Sequence, residues 1–352
     1  MPSLFDPLQL GELSLPNRIL MAPLTRRRAG ASRVPNALML EYYRQRASAG
    51  LIISEATVVT PDGVGYANTP GIWSREQVEG WRAITCAVHE AGGRIFLQLW
   101  HTGRISHPMF LGGKAPVAPS AVAAKGNVSQ VNPKVPYPVP RPLEHAEIAG
   151  VIQAYAQGAR LAQQAGFDGV ELHGANGYLL DQFLQDSTNQ REDNYGGAIE
   201  NRARLLLDVT DEVVKVWGRG RVGVHLAPRA DAHSMGDSNL AATFGYVAAQ
   251  LGRRGIAFIC AREHLGPDRI GPTLKSAFGG LFIANERFTL ESAQQVLDHG
   301  EADAVAFGKL FLANPDLPTR FRLKAALNEP QPASFYSDGP AGYTDYPALK
   351  QA

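Results

Sequence analysis

Short apolar segments recur along the chain, and each is closed by a polar or glycine-containing turn. Segments of this kind predict buried β-strands. There are eight of them, at 19–21, 51–54, 95–99, 169–172, 222–226, 256–260, 281–284 and 304–307.

The segments between these strands have the period of a helix. After the third strand, for example, apolar side chains recur at three- and four-residue steps from Ile148 to Ala162. Helices are predicted at 36–48, 75–90, 144–164, 200–216, 241–251, 272–278, 289–297 and 315–327. Eight alternating strand–helix pairs predict an α/β protein with a closed (β/α)₈ TIM barrel rather than an open, doubly wound sheet.

Two segments lie outside this alternation. Residues 8–15 alternate around Gly11 and predict a hairpin that caps the bottom of the barrel. Residues 103–142 are rich in Pro, Gly and Ala and form an unusually long loop after the third strand, where a lid over the catalytic face is expected. No change of composition divides the chain, so residues 1–352 are predicted to form one domain.

Composition narrows the class of protein. The chain has 34 Lys+Arg against 33 Asp+Glu, a net charge of +1, which argues against nucleic acid as a partner. It has no apolar run of the ~18 residues that a membrane span needs, and its first residues lack a signal-peptide pattern, so a cytoplasmic protein is expected. Cys86 and Cys260 are too few for a disulfide framework or an iron–sulfur cluster.

The end of the fourth predicted strand carries the most informative polar residues, His173, Asn176 and Tyr178. Barrel enzymes place their sites at the carboxyl ends of strands. The His and Asn are suited to polarise a carbonyl or nitro oxygen by hydrogen bonds, while the phenol donates a proton to a developing carbanion. A purely structural interpretation stays open, in which the His and Asn cap the next helix and the Tyr packs beneath them.

The last two strand ends predict a site for a phosphate-bearing cofactor. Asn285 and Arg287 follow the seventh strand, and Gly308 and Lys309 follow the eighth. Barrels bind phosphate at this position with backbone N–H groups and a cation. The alternative is a simple turn at Gly308 with a solvated lysine.

Three other patterns are interpreted without a ligand. Residues 218–223 match G-x-G-x-x-G, but they follow a helix and enter a strand, the reverse of the dinucleotide-binding order, so they predict a helix end and a turn. The run Arg26 to Arg28 is predicted to be a solvated loop with one arginine near the ligand. The nine histidines show no metal-binding spacing, so no metal is expected.

The sequence also carries five longer motifs, at residues 17–26 (NRILMAPLTR), 98–104 (QLWHTGR), 166–180 (GFDGVELHGANGYLL), 194–197 (NYGG) and 342–347 (GYTDYP). In this order, they resemble the Old Yellow Enzyme family of FMN-dependent ene-reductases. The resemblance runs essentially end to end and looks closest to the bacterial xenobiotic reductase and N-ethylmaleimide reductase branch.

The resemblance implies tightly bound, non-covalent FMN across the barrel mouth. Thr25 would lie near the flavin N5, and Gly308 and Lys309 would hold the phosphate. The implied cofactor-binding set is Pro23, Leu24, Thr25, Ala56, Gln98, His225, Asn285, Arg287, Gly308 and Lys309.

The resemblance also implies the reaction. NADPH or NADH reduces FMN, and the substrate then takes the hydride. The expected substrates are activated alkenes, such as α,β-unsaturated carbonyl compounds and maleimides, and also nitro compounds or nitrate esters. His173 and Asn176 would hold the substrate oxygen and Tyr178 would supply the proton. Further pocket residues are Tyr66, Trp100 and Tyr336. Small molecules are the expected partners, and the protein is expected to be a monomer or homodimer.

Two positions depart from the family pattern. His225 stands where an arginine usually faces the flavin, and Lys309 stands where arginine is common. Because the charge of a histidine ordinarily depends on pH near neutrality whereas arginine stays protonated, we hypothesise that the flavin potential varies with pH through His225.

Rival functions make different predictions. A flavin-free barrel lyase or isomerase acting on a phosphorylated sugar would also have a phosphate site, but it would be colourless. Iron–sulfur dienoyl-CoA reductases need at least four cysteines, and dihydrouridine synthases need a basic surface. A non-catalytic binding protein has no use for a proton donor beside two oxygen-binding groups.

Overall fold

The computed structural model describes residues 2–229 and 232–349 and confirms the predicted (β/α)₈ barrel. Thirteen strands are found among these residues. They are β1 (Leu8–Leu10), β2 (Leu13–Leu15), β3 (Ile19–Met21), β4 (Ile52–Ile53), β5 (Thr57–Val58), β6 (Ile95–Trp100), β7 (Val117–Ala118), β8 (Arg141–Pro142), β9 (Gly169–Gly174), β10 (Val222–Leu226), β11 (Phe258–Arg262), β12 (Leu281–Asn285) and β13 (Ala304–Phe307).

Eleven α-helices alternate with or follow these strands in the described part of the chain. They are α1 (Ala37–Arg44), α2 (Arg75–Glu90), α3 (His145–Gln164), α4 (Leu179–Leu184), α5 (Ile199–Arg202), α6 (Arg204–Trp217), α7 (Leu240–Arg254), α8 (Gly271–Phe278), α9 (Leu290–Asp298), α10 (Lys309–Ala313) and α11 (Leu317–Leu323). None of the described helices is both long enough and apolar enough to span a bilayer.

The barrel closes through parallel pairing around its whole circumference. Its strands follow the order β4, β3, β13, β12, β11, β10, β9, β6, and β4 pairs again with β6. The second barrel strand is interrupted, since β4 and β5 are separate pieces that both pair with β6. All eight carboxyl ends therefore meet at one rim, where the site was predicted.

The clearest differences from the predicted elements are at boundaries. The sixth strand was predicted at 256–260, whereas β11 begins two residues later and ends at Arg262. Ile256 and Ala257 are apolar and buried like the strand itself, so the hydrophobic pattern does not distinguish them from it. The predicted helix at 200–216 is divided into α5 and α6, and α4 was missed because all six of its residues are buried and give no periodic contrast.

The hairpin β1–β2 lies where it was predicted. Its four leucines pack with the inward side chains of the barrel strands, including Phe96 and Phe258. At its turn Gly11 has φ +56°, and a Cβ there would lie 2.5 Å from the carbonyl oxygen of Gly220. Gly220 belongs to the 218–223 segment, which follows α6 and enters β10 at the barrel bottom. This is the order inferred from the sequence.

The prediction that Arg26 to Arg28 form a solvated loop was wrong. Arg26 and Arg28 are buried, and they donate hydrogen bonds to backbone carbonyls of the C-terminal segment, which we define as residues 332–346. Arg26 donates to the carbonyl oxygens of Phe335 at 3.1 Å and Gly342 at 2.7 Å. A charge run alone does not reveal that acceptors more than 300 residues away in the chain will surround it.

Arg46 offers a direct test of how the first helix of the barrel is held to α10, which follows the last barrel strand. It is fully buried after α1 and donates to the carbonyl oxygens of Tyr42 (2.8 Å), Phe311 (3.1 Å) and Leu312 (2.5 Å). Arg46→Met leaves these acceptors unpaired, so we expect a loss of about 2–3 kcal/mol in the free energy of unfolding, measured by chemical denaturation. The control Arg44→Ala removes an exposed ion pair with Glu41 and should cost less than about 0.5 kcal/mol. Equal losses in the two variants would contradict this role.

Candidate active site

A cavity of about 550 Å³ opens at the carboxyl ends of the barrel strands. Every site residue predicted from the sequence lines it, with the exception of Trp100. The lining residues among those predicted are Pro23, Leu24, Thr25, Ala56, Tyr66, Gln98, His173, Asn176, Tyr178, His225, Asn285, Arg287, Gly308, Lys309 and Tyr336.

Trp100 lies behind the cavity wall and does not line it. It is the last residue of β6 and is fully buried. Its ring stacks on Tyr66 at a centroid distance of 5.4 Å and meets the edge of Tyr178 at 4.9 Å. Trp100 therefore supports Tyr66 and Tyr178, two of the tyrosines that line the cavity.

Sequence reasoning missed several lining residues. Ser129 and Gln130 come from the long loop, which agrees with its predicted place at the catalytic face, while its movement as a lid stays a prediction. His233 lies in the β10–α7 connection, where no pattern marked it. Arg262 received no role from the sequence, although it is the last residue of β11 and lines the cavity.

The turn between β9 and α4 positions Asn176 and Tyr178. Asn176 and Gly177 are both left-handed, at φ +59° and +78°. Asp181 accepts from the Gly177 N–H at 2.8 Å, and His233 Nδ1 lies 2.7 Å from the Asn176 carbonyl oxygen. A Cβ at Gly177 would lie 2.9 Å from His233 Cβ, so the turn requires glycine.

The structural interpretation of His173 and Asn176 as helix caps was wrong. The N-cap of α4 is Tyr178, and no side-chain capping bond is made there. Instead, the Tyr178 hydroxyl lies 3.0 Å from that of Tyr66, and either can donate. Burial, the largest effect, raises the pKa of Tyr178 above its ordinary value, so this phenol keeps its proton at neutral pH.

His173 is held in its neutral form. Burial, followed by the neighbouring His225, Arg262 and His233, lowers the pKa of His173 well below its ordinary value. The side chain is buried in the cavity wall, and its Nδ1 has no hydrogen-bond partner among the described residues. The neutral ring has one N–H to donate, and the Asn176 amide carries no charge at any ordinary pH. Hydrogen-bond donation by His173 and Asn176 therefore does not depend on pH near neutrality.

A buried polar cluster, formed by Gln98, Glu171, His225 and Cys260, lies in the barrel beneath the cavity. Gln98 Nε2 donates to Glu171 Oε2 at 2.7 Å and lies 3.3 Å from His225 Nδ1. Because a carboxylate only accepts, this contact fixes the Gln98 amide and leaves its Oε1 available. His225 Nε2 has no hydrogen-bond partner among the described residues.

Three members of this cluster are also potential metal ligands. Ligand atoms of Glu171, His225 and Cys260 lie within 4.8 Å of one another. Burial raises the pKa of the Cys260 thiol well above its ordinary value, with Glu171 adding to the effect, which disfavours the thiolate that binds metals. The hydrogen bond from the Gln98 amide to Glu171 also fits a hydrogen-bond network better than a metal centre.

The opposite end of the cavity carries exposed cations. Lys309 is exposed directly after Gly308, the N-cap of α10, and the Arg287 side chain is 81% exposed. Asn285, by contrast, turns its Nδ2 to the Ala306 carbonyl oxygen at 2.7 Å. Asn285 therefore ties β12 to β13, while Lys309 and Arg287 leave positive charge at the rim.

Comparison with known proteins identifies the class to which this fold and site belong. A model of the NADH:flavin oxidoreductase / NADH oxidase family matches residues 3–328. The chain belongs to that family, and the predicted resemblance is confirmed.

Relatives of similar length support the assignment. A protein of Leishmania infantum described as a probable flavin mononucleotide-dependent alkene reductase is 44% identical, over 98% of this chain and 97% of its own. The 12-oxophytodienoate reductase 2 of Arabidopsis thaliana is 41% identical, over 99% of this chain and 96% of its own.

Solved structures match the fold closely. The Old Yellow Enzyme homologue from Zymomonas mobilis has a TM-score of 0.96 at 47% identity, covering 99% of this chain and 100% of that one. Morphinone reductase in complex with tetrahydroNAD has a TM-score of 0.96 at 49% identity, covering 99% of this chain and 98% of that one.

The buried Asp181 that holds the active-site turn predicts a pH effect on stability. Burial raises the pKa of Asp181 to about 7, above its ordinary value in an unfolded chain of about 4. The folded state therefore binds the proton more tightly, and the stability that it contributes is lost as pH rises from about 4 to about 7. Asp181→Asn is neutral throughout, so the melting temperature of wild type minus variant should fall between about pH 5 and 7.

A matched control keeps this experiment specific. Hydrogen bonding from Arg44 lowers the pKa of Glu41, so the contribution of this carboxylate to stability is lost only at lower pH. The corresponding difference for Glu41→Gln should stay constant between about pH 5 and 7. A constant difference for Asp181→Asn as well would contradict the prediction.

Proposed function

We propose that this protein binds FMN and, with a nicotinamide coenzyme as reductant, reduces the carbon–carbon double bond of α,β-unsaturated carbonyl compounds. The family supports a flavin oxidoreductase. The name of the Leishmania relative supports FMN and alkene reduction, and the morphinone reductase complex supports a nicotinamide reductant.

One observation carries the proposal: His173, Asn176 and Tyr178 meet in the wall of one cavity. The first two are neutral donors suited to a carbonyl oxygen, and the third is a phenol that keeps its proton. Their positions arise from β9 and the turn that follows it, so a single structural unit supplies all three.

The cavity residues fit FMN. His225 Nε2 is a buried polar atom without a partner among the described residues. Gln98 Nε2 is engaged by Glu171, and no described residue donates to Gln98 Oε1, which leaves this oxygen for the polar edge of a flavin ring. Lys309 and Arg287 are suited to the phosphate at the other end, and Thr25 lines the wall between the two ends. Bound FMN would supply a hydride from N5 of its reduced ring.

The protein's own groups then act on the substrate. His173 and Asn176 hold the substrate oxygen and stabilise the negative charge that develops on it when the β-carbon gains a hydride. Tyr178 delivers its proton to the α-carbon, and Tyr66 keeps the Tyr178 hydroxyl in place. Maleimides carry the same conjugated carbonyl. Nitro compounds and nitrate esters offer similar acceptor oxygens, and their reduction stays a prediction.

Tyr178→Phe tests the proton donor. We expect it to slow reoxidation of the reduced enzyme by 2-cyclohexen-1-one by about 100-fold or more, because the general acid is lost. Reduction of the flavin by NADPH or NADH should change far less, since it needs no proton from Tyr178. Stopped-flow absorbance measures both half-reactions separately.

Tyr66→Phe is the matched control for this pair of hydroxyls. It removes only the partner of the Tyr178 hydroxyl, so its effect on reoxidation should be much smaller than that of Tyr178→Phe. Equal losses in both half-reactions for Tyr178→Phe, or a greater loss for Tyr66→Phe, would contradict the assignment.

A further inference from the structure

Arg262, the last residue of β11, connects two loops of the active-site rim. Its Nη1 donates to Asn176 Oδ1 at 2.8 Å, and its Nε donates to Glu286 Oε2 at 2.7 Å. The guanidinium thus joins the turn after β9 to the segment after β12. The Arg262 side chain itself is about one-third exposed, at 34%, and lines the cavity.

The contact with Arg262 determines which way the Asn176 amide faces. A guanidinium has donors only, so the atom of Asn176 that meets it must be the acceptor, Oδ1. Asn176 Nδ2 therefore lies on the other side of the amide group. No contact in which Nδ2 donates is found among the described residues, so its two N–H groups remain available in the wall of the cavity.

Glu286 holds Arg262 from the other side. Arg262 pairs in register with Asn285 of β12, so Glu286 follows directly beyond that strand end. Glu286 has φ +107°, a backbone conformation that a residue with a side chain rarely adopts. Burial raises the pKa of Glu286, but the hydrogen bond and the charge of Arg262 lower it, and the net result is a pKa below the ordinary value. The group that anchors Arg262 is therefore a carboxylate at neutral pH.

We propose that Arg262, anchored by Glu286, is a positioning residue that fixes the Asn176 amide with its N–H groups toward the substrate oxygen. This inference rests on the proposed function, because it assigns Asn176 the substrate oxygen as a partner. Without Arg262, the amide is free to rotate and can present Oδ1, which would repel a carbonyl oxygen rather than donate to it.

A double-mutant cycle separates this indirect role from direct contact or general support of the fold. The variants are Arg262→Leu, Asn176→Ala and the two combined, each as the FMN-loaded protein. The measurement is the Kd of cyclohexanone, a saturated ketone that cannot accept a hydride, followed by the change in the flavin absorption spectrum.

We expect Arg262→Leu to weaken cyclohexanone binding about five- to tenfold, the effect of one oriented hydrogen bond. In the Asn176→Ala background the same substitution should have almost no effect, since the amide through which it acts is gone. Arg262→Lys, which keeps a donor for Oδ1, should restore part of the loss.

Each other outcome has a defined meaning. If Asn176→Ala raises Kd but the two losses add, the positioning role is wrong while the proposed function stands. If Asn176→Ala leaves Kd unchanged, the oxygen site of the proposed function is wrong and the inference fails with it. Should Arg262→Leu fail to fold, Glu286→Gln weakens the anchor more gently, and its effect must likewise vanish in the Asn176→Ala background.

Discussion

The parallel register of neighbouring barrel strands is the constraint on which the active site depends. His225 of β10 stands directly opposite His173 of β9, and Gln98 of β6 stands opposite Glu171 of β9. Closure of the barrel through the β4–β6 pairing holds this register. The polar cluster beneath the cavity and the His173 side chain in its wall therefore come from adjacent strands, whose positions cannot shift independently.

Burial then sets the chemical state of the groups that the register brings together. His173 is kept neutral and Tyr178 is kept protonated, so one has a single N–H to donate and the other has a proton to give. The turn that carries Asn176 is held by Asp181 and His233. Under the proposed function, these groups would act on the substrate from a turn that is already held in place, which limits the reorganisation needed during the reaction.

The repeating strand–helix pattern was sufficient to predict the barrel and the rim where its polar residues meet. It located His173, Asn176 and Tyr178 because they stand at the end of β9 or in the turn directly after it. It assigned Arg262 no role, because its hydrogen-bond partners, Asn176 and Glu286, belong to other loops that only the folded barrel brings beside it. The burial of Arg26 and Arg28 could not be predicted either, since their acceptors come from the far end of the chain.

The most direct test of the account is an anaerobic absorption experiment on the purified protein. We expect flavin bands that bleach when NADPH or NADH is added and return when 2-cyclohexen-1-one follows. A flavin that bleaches but is not reoxidised by the enone would contradict alkene reduction while leaving the cofactor in place. A colourless protein that cannot be loaded with FMN would contradict the account as a whole.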